Sequence, residues 1–207
     1  MSFISSTYLR GDINIPNKTG SNSDATAIAQ YITQYEKEIL ISLLGYELYS
    51  LLIADCTDFV PVSQIYKDLV NGVEFTHTFN GVDYLLKWNG LQNTDLVSLI
   101  AYYVFYKWQE YETIHNSSSG SLLVESEGGQ RVSPMNEMIN AWDKMRLLYG
   151  KLPVELKKYV GSNPIPADNI SCVYDCEPSA FNFLYANKDD YPAWTFKPIW
   201  GINQFGI

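Results

Sequence analysis

The chain has 207 residues, 46% hydrophobic and 14% aromatic, with a formal net charge of −9. That is enough apolar material for one compact core and short for two large domains. The acidic balance opposes phosphate, which excludes a surface that grips nucleic acid by counterion release but is compatible with DNA sliding past without adhering.

Residues 1–22 contain Gly11, Pro16 and Gly20 among scattered Ser, Asn and Thr, and predict an extended arm. The opening residues lack the basic start and unbroken apolar run of a secretory signal, so cytoplasmic synthesis is expected. A helix is predicted to open at Ser23 or Asp24, either of which can cap free backbone N–H groups. Ile28, Ile32, Tyr35, Ile39 and Leu43 form its apolar stripe, opposite Gln30, Thr33, Gln34, Lys37 and Glu38, with Ile41 as the misfit. Gly45 stops it, and Tyr46 to Ile53 reads as a short second helix carrying Leu48, Leu51 and Leu52. Pro61 restarts the chain, and Ser63 to Asn71 predicts a further brief helix ended by Gly72.

Val73 to Phe79 alternates apolar and polar residues and meets Asn80-Gly81, the favoured two-residue turn, so a β-hairpin ending near Lys87 is expected. A helix beginning around Asn93 or Thr94 follows. From Leu96 to Tyr106 only Ser98 is clearly polar, which predicts a central helix covered on nearly all sides. At about half the length of a bilayer crossing, this stretch belongs in a core and not in a membrane.

Asn116 to Arg131 is a Ser- and Gly-rich excursion that carries the apolar trio Leu122, Leu123 and Val124. The last clear helix has Ser133 as cap, Pro134 in its first turn, and Met135, Met138, Ile139, Trp142, Met145 and Leu148 on one side, up to Gly150. A turn or two after Pro153 is expected through Val160. Beyond Gly161, prolines at 164, 166, 178, 192 and 198 break long helices, while Trp194, Phe196, Trp200, Phe205 and other rings keep the segment aromatic, unlike a disordered tail. The fold class is therefore mainly α: a small helical bundle with a β-hairpin, a long inter-helix excursion and an irregular C-terminal extension, divided as 1–160 and 161–207.

Few residues suggest chemistry. Cys56, Cys172 and Cys176 have no zinc spacing and read as thiols; His77 and His115 have no metal-ligand spacing either. No phosphate loop or nucleophile elbow occurs, and the acid pairs Glu125/Glu127, Asp55/Asp58 and Asp189/Asp190 sit in loop-like sequence. No catalytic, cofactor-binding or metal-binding residue is assigned. For the tail aromatics three readings stay open: packing on the chain's own bundle, anchoring a protein neighbour, or binding a small ligand such as a glycan.

The order of elements carries a resemblance. An arm, YITQYEKEILISLLGYELYSLL, a short helix and hairpin, GLQNTDLVSLIAYYVFYKWQEYE, the excursion, and SPMNEMINAWDKMRLLYG together resemble the head-tail connector, or neck adaptor, proteins of tailed bacteriophages, including ring proteins of phages of gut Bacteroides. The resemblance covers roughly residues 1–160 and departs from the family in the break at Gly150 to Pro153 and in the aromatic tail. It implies a non-enzymatic subunit of a homo-oligomeric ring, usually twelve-fold, in the virion neck beneath the portal protein. There it would extend the DNA channel and receive the tail or a further neck ring, with no cofactor. Ring subunits need two side surfaces and an interface on the order of 2,000 Å² or more. Leu122, Leu123 and Val124 are the expected clasp on a neighbouring subunit, and Trp194, Phe196, Trp200 and Phe205 the expected anchors on a portal, tail or second ring protein. Acidic residues facing the lumen would keep DNA from adhering. The readings from other classes are a monomeric module whose aromatic tail grips a glycan, and a glycosidase using one loop acid pair.

Overall fold

The computed structural model describes residues 2–15, 23–79, 82–117, 120–123, 135–150 and 178–197. The chain is mainly helical with small antiparallel hairpins, as the periodicities require. In chain order it forms α1 (Ser23–Leu44), α2 (Tyr46–Asp55), β1 (Cys56–Thr57), β2 (Val60–Pro61), α3 (Gln64–Asn71), β3 (Val73–Phe79), β4 (Val82–Trp88), α4 (Leu99–Thr113), β5 (Ile114–Ser117), β6 (Gly120–Leu123), α5 (Met135–Tyr149) and α6 (Ala180–Ala186).

The centre is α4. Every residue from Leu99 to Tyr106 is buried, so this helix has no solvent face over its first two turns. α1 packs on one flank and α5 on another. α1 presents Ile28, Ile32, Ile39, Leu40, Leu43 and Leu44, while Ile41 is only half-buried. α5 presents Met138, Ala141, Trp142, Met145 and Tyr149, with the Trp142 ring 4.8 Å from Tyr106. Met135, placed by its spacing on that stripe, is exposed at the helix's first residue.

α4 starts later than the apolar run suggests. Leu96 adopts φ +55°, which an α-helix cannot contain, and the Asn93 side chain bonds both the N–H and the carbonyl of Val97. Ser98, the polar residue that seemed to lie inside the helix, is its cap: its hydroxyl accepts from Ile100 N at 3.2 Å and donates to Leu91 O at 2.6 Å. The apolar residues ahead of it belong to a folded loop that the helical stripe masks.

The hairpin β3–β4 has the expected two-residue connection, with register from Val73↔Trp88 to Phe79↔Val82. The alternation places Val73, Phe75, Leu86 and Trp88 on one face, of which Phe75, Leu86 and Trp88 are buried. A second small hairpin, β1–β2, was not legible. Its turn residues Asp58 and Phe59 both have positive φ, costly for Phe59, whose ring meets Phe3 edge-on at 5.3 Å. The excursion after α4 begins as a third hairpin, β5–β6, instead of an irregular loop. The expected cap at Ser133–Pro134, the turn after Pro153 and the remainder of the excursion lie outside the described residues.

Two expectations about the ends of the chain need correction. Residues 2–15 are not a free arm: they form two 3-10 turns that bury Phe3, Ile4, Tyr8, Leu9, Ile13 and Ile15 in the main core. Residues 178–197 do not need a neighbouring chain to hold them. They form α6, capped by Ser179, whose hydroxyl accepts from Asn182 N, and a strap that joins the same core through Phe181, Phe183, Leu184 and Tyr191. Counting prolines identified the irregularity, but rings spaced along an irregular strap fill a core as well as a helical stripe does.

Glycine is required where α3 meets the end of β4. Gly72 and Gly90 have φ of +86° and +85°, and a Cβ on either would lie 2.4–2.6 Å from the other segment's backbone. Gly11 also has positive φ, at +64°, but faces open space. Gly72→Ala or Gly90→Ala should therefore cost more than about 2 kcal/mol by urea unfolding, and Gly11→Ala only about 1 kcal/mol, the dihedral strain alone.

Candidate interaction surface

The residues expected to contact partners divide into three groups. Trp194 and Phe196 lie on the strap, facing their own chain. Trp194 Nε1 donates to Leu43 O at 2.9 Å, and its ring lies 5.4 Å from Phe181; Phe196 packs 4.6 Å from Phe181 and 5.4 Å from Tyr149. Thr195 N and Lys197 N donate to Leu44 O and Ser42 O. The strap thus satisfies three carbonyls in the last turn of α1, which a helix end leaves without intrahelical partners. Tyr149 OH donates to Lys197 O and Tyr191 OH to Ile65 O, closing the strap at both ends. Gly45 is required here as well, since a Cβ would meet Thr195 at 2.9 Å. Of the three readings of the tail aromatics, packing on the chain's own bundle is what Trp194 and Phe196 do on one side, and both stay partly exposed on the other.

Leu122 and Leu123 lie in β6, paired with His115 and Ile114 of their own β5, so a clasp on a neighbour would have to use the free edge of this two-stranded ribbon. Val124, Trp200 and Phe205 lie outside the described residues. The acid pairs do not form a catalytic dyad among the described residues. Asp55 is a structural cap for the start of α3, accepting from Val62 N and Ser63 N at 2.9 Å and from the Ser63 hydroxyl, and the Ser63 bonds hold its carboxyl below the usual range. Asp58 sits in the β1–β2 turn; Asp189 and Asp190 are exposed after α6. Glu125 and Glu127 are outside the described residues, as are Cys172 and Cys176. Cys56 is a free thiol raised by burial, and burial lowers the His77 imidazole. Among the described residues no three His, Cys, Asp or Glu side chains gather as a metal site, and no helix is long and apolar enough to cross a membrane.

The structure's most unusual polar group was missed in the sequence. Glu36 is 4% exposed inside the bundle, and its two carboxylate oxygens accept from consecutive backbone groups of the arm, Phe3 N at 3.0 Å and Ile4 N at 3.2 Å. Its register was a readable signal: position 36 stands four residues after Ile32 and three before Ile39, on the buried stripe. Around it the arm is fixed by side chains of other elements. Tyr8 OH accepts from Asn93 N at 2.9 Å and donates to Asn93 O at 3.0 Å, Arg10 bonds Asp95 O, and Asp12 pairs with Lys144 of α5. A cleft of about 550 Å³ runs beside the arm between Ser2–Ser6 and Ala25, Ala29 and Thr33 of α1. A second, of about 410 Å³, lies where Tyr8 faces Gly72 and the β4–α4 loop.

Comparison with protein-family models, with curated proteins and with solved structures finds no match to this chain.

Two measurements probe these contacts. Trp194→Ala should lower the stability of the isolated chain by about 2 kcal/mol, a reduced large-to-small cost because the side chain is half-buried, and this loss needs no partner to be observed. For Glu36, burial outweighs the two N–H bonds and pushes the carboxyl up from 4.5 to about 7. The folded state then holds the proton more tightly than the unfolded chain, so this contribution is fully present below pH 4.5, declines as pH rises towards 7 and is gone above it. At about 1.4 kcal/mol per pKa unit the loss between pH 4.5 and 8 is about 3 kcal/mol, and Glu36→Gln should flatten the urea midpoint's pH dependence by that amount.

Proposed function

We propose that this chain is a structural subunit, not an enzyme, that assembles into the head-tail connector ring of a tailed bacteriophage. In this reading the subunit sits in the virion neck beneath the portal protein, extends the DNA channel and receives the tail or a further ring. The observation that carries it is the order of built elements: a docked arm, one long helix, a short helix and hairpin, a tyrosine-rich central helix, a β excursion and a Met/Trp helix. The resemblance rests on this same order.

Other features are consistent with the proposal. The net charge of −9 suits a channel wall that does not retain DNA. Several polar groups are engaged in holding backbone: Asp55 bonds the segment before α3, Glu36 holds the arm and Tyr8 holds the β4–α4 loop. At Trp194 and Phe196 the contacts with the bundle support packing on the chain itself over a platform for a glycan.

Native mass spectrometry of the purified chain, alone and mixed with a portal protein from the same genome, tests the proposal. The expected result is a closed oligomer at an integer multiple of 23.6 kDa, near twelve copies, formed alone or on the portal. A chain that stays at one copy in both samples overturns it.

A further inference from the structure

The groove that receives residues 2–15 is a peptide-binding site built on the bundle. A buried carboxylate offers two oxygens to two successive backbone N–H groups at a bend in the chain, so it recognises main chain and not a particular side chain. Apolar positions flank it and take up Phe3, Ile4, Tyr8, Leu9, Ile13 and Ile15. Polar contacts then fix the register: Tyr8 on both backbone groups of Asn93, Arg10 on Asp95 O, and Asp12 on Lys144. Without an arm, Glu36 loses both backbone donors and the groove opens to water the apolar positions that receive six side chains, which is unfavourable. The site therefore has to be filled, but nothing in its chemistry specifies by which copy.

We propose that the occupant in the assembled state is the arm of a second copy of this chain, so that neighbouring subunits exchange residues 2–15. Three observations support exchange. First, the arm's contacts are non-covalent and reach α1, α4, α5, the β4–α4 loop and Phe59 of the β1–β2 turn, so a neighbour's arm reproduces them unchanged, as in domain swapping. Second, residues 16–22 join the arm to α1 and include Pro16 and Gly20; fully extended, the link from Ile15 to Ser23 reaches at most about 28 Å, enough to serve an adjacent bundle. Third, an acidic chain of net charge −9 opposes self-association, and association must draw on apolar burial. The large apolar side chains exposed on the described helices are dispersed, with Tyr46 on α2, Tyr111 on α4 and Leu147 on α5. The arm concentrates six apolar side chains in one segment.

This inference rests on the assembly reading, and its test separates the two. Chains grown in heavy and ordinary nitrogen are mixed one to one in denaturant, refolded together and treated with a carbodiimide that joins the carboxylate of Asp12 to the amine of Lys144, an ion pair in the structure. The mass of the intact particles is measured in the same sample. Exchange predicts that about half of the Asp12–Lys144 cross-linked peptides carry one heavy and one ordinary partner. Only like-isotope pairs within an oligomer would overturn arm exchange and leave the ring reading standing; only like-isotope pairs in chains that stay single both alone and with the portal protein added would overturn both. If the mixture does not refold, co-expression of the wild type with an Ile13→Val, Ile139→Val chain marks both cross-linked peptides by mass and gives the same readout.

Discussion

The structure depends on one constraint: α4 has no solvent face. Eight consecutive buried residues, Leu99 to Tyr106, mean that a helix hydrophobic all round has to be enclosed by the rest of a chain of modest length. Two helices cannot enclose a third. α1 and α5 supply stripes, and segments without long periodicity complete the core: the arm of residues 2–15 packs on α1, α4 and α5, and the α6 strap on α5, the end of α1 and the β3–β4 hairpin. The irregular ends of this protein are therefore part of its core. Their aromatic and aliphatic content follows from the surface they have to cover.

Covering a helix with irregular chain creates a second problem, because such segments carry backbone N–H and C=O groups into the interior without a ladder to satisfy them. Each is met locally. The last turn of α1 would leave carbonyls of Ser42, Leu43 and Leu44 unpaired; the strap supplies Lys197 N, the Trp194 indole and Thr195 N. The arm brings Phe3 N and Ile4 N into an apolar groove, and Glu36 receives both. At the β4–α4 loop one phenol, Tyr8, satisfies both backbone groups of Asn93. A buried carboxylate is an expensive way to receive two amide protons, and its raised pKa records that cost.

Periodic information was legible and long-range information was not. The stripes of α1 and α5, the hairpin with its Asn-Gly turn, and the stops at Gly45 and Gly72 follow from spacing and from turn chemistry, and the structure builds them where the sequence places them. Ser98 was misplaced because a capping hydroxyl inside an apolar run resembles a tolerated polar residue in a helix; only its bonds to Ile100 N and Leu91 O separate the two cases. The arm was read as extended, and the tail aromatics were left open between the chain's own bundle, a neighbour and a small ligand, because neither segment has a period from which a buried face can be computed. Rings that pack at 4.6 Å against Phe181 and rings that wait for a partner look identical in one dimension. Glu36 was the exception, an acid set on the apolar stripe and hence visible in the register of its own helix.

The same physics bears on how a protein of this kind associates. A partner surface is usually sought among exposed apolar groups, yet here Tyr46, 73% exposed, and Leu51 lie on a helix whose other side is occupied with its own core. Exposed apolar residues in ones and twos are normal on any protein surface and carry little binding energy. In the exchange we propose, the contacts with enough burial to hold two acidic copies together would be those that residues 2–15 already make with their groove. A surface with dispersed apolar groups and a core closed by residues 2–15 are two consequences of one design problem. In that exchange, specificity would come from register, set by Glu36 at one point of the groove and by the Asn93 backbone at another.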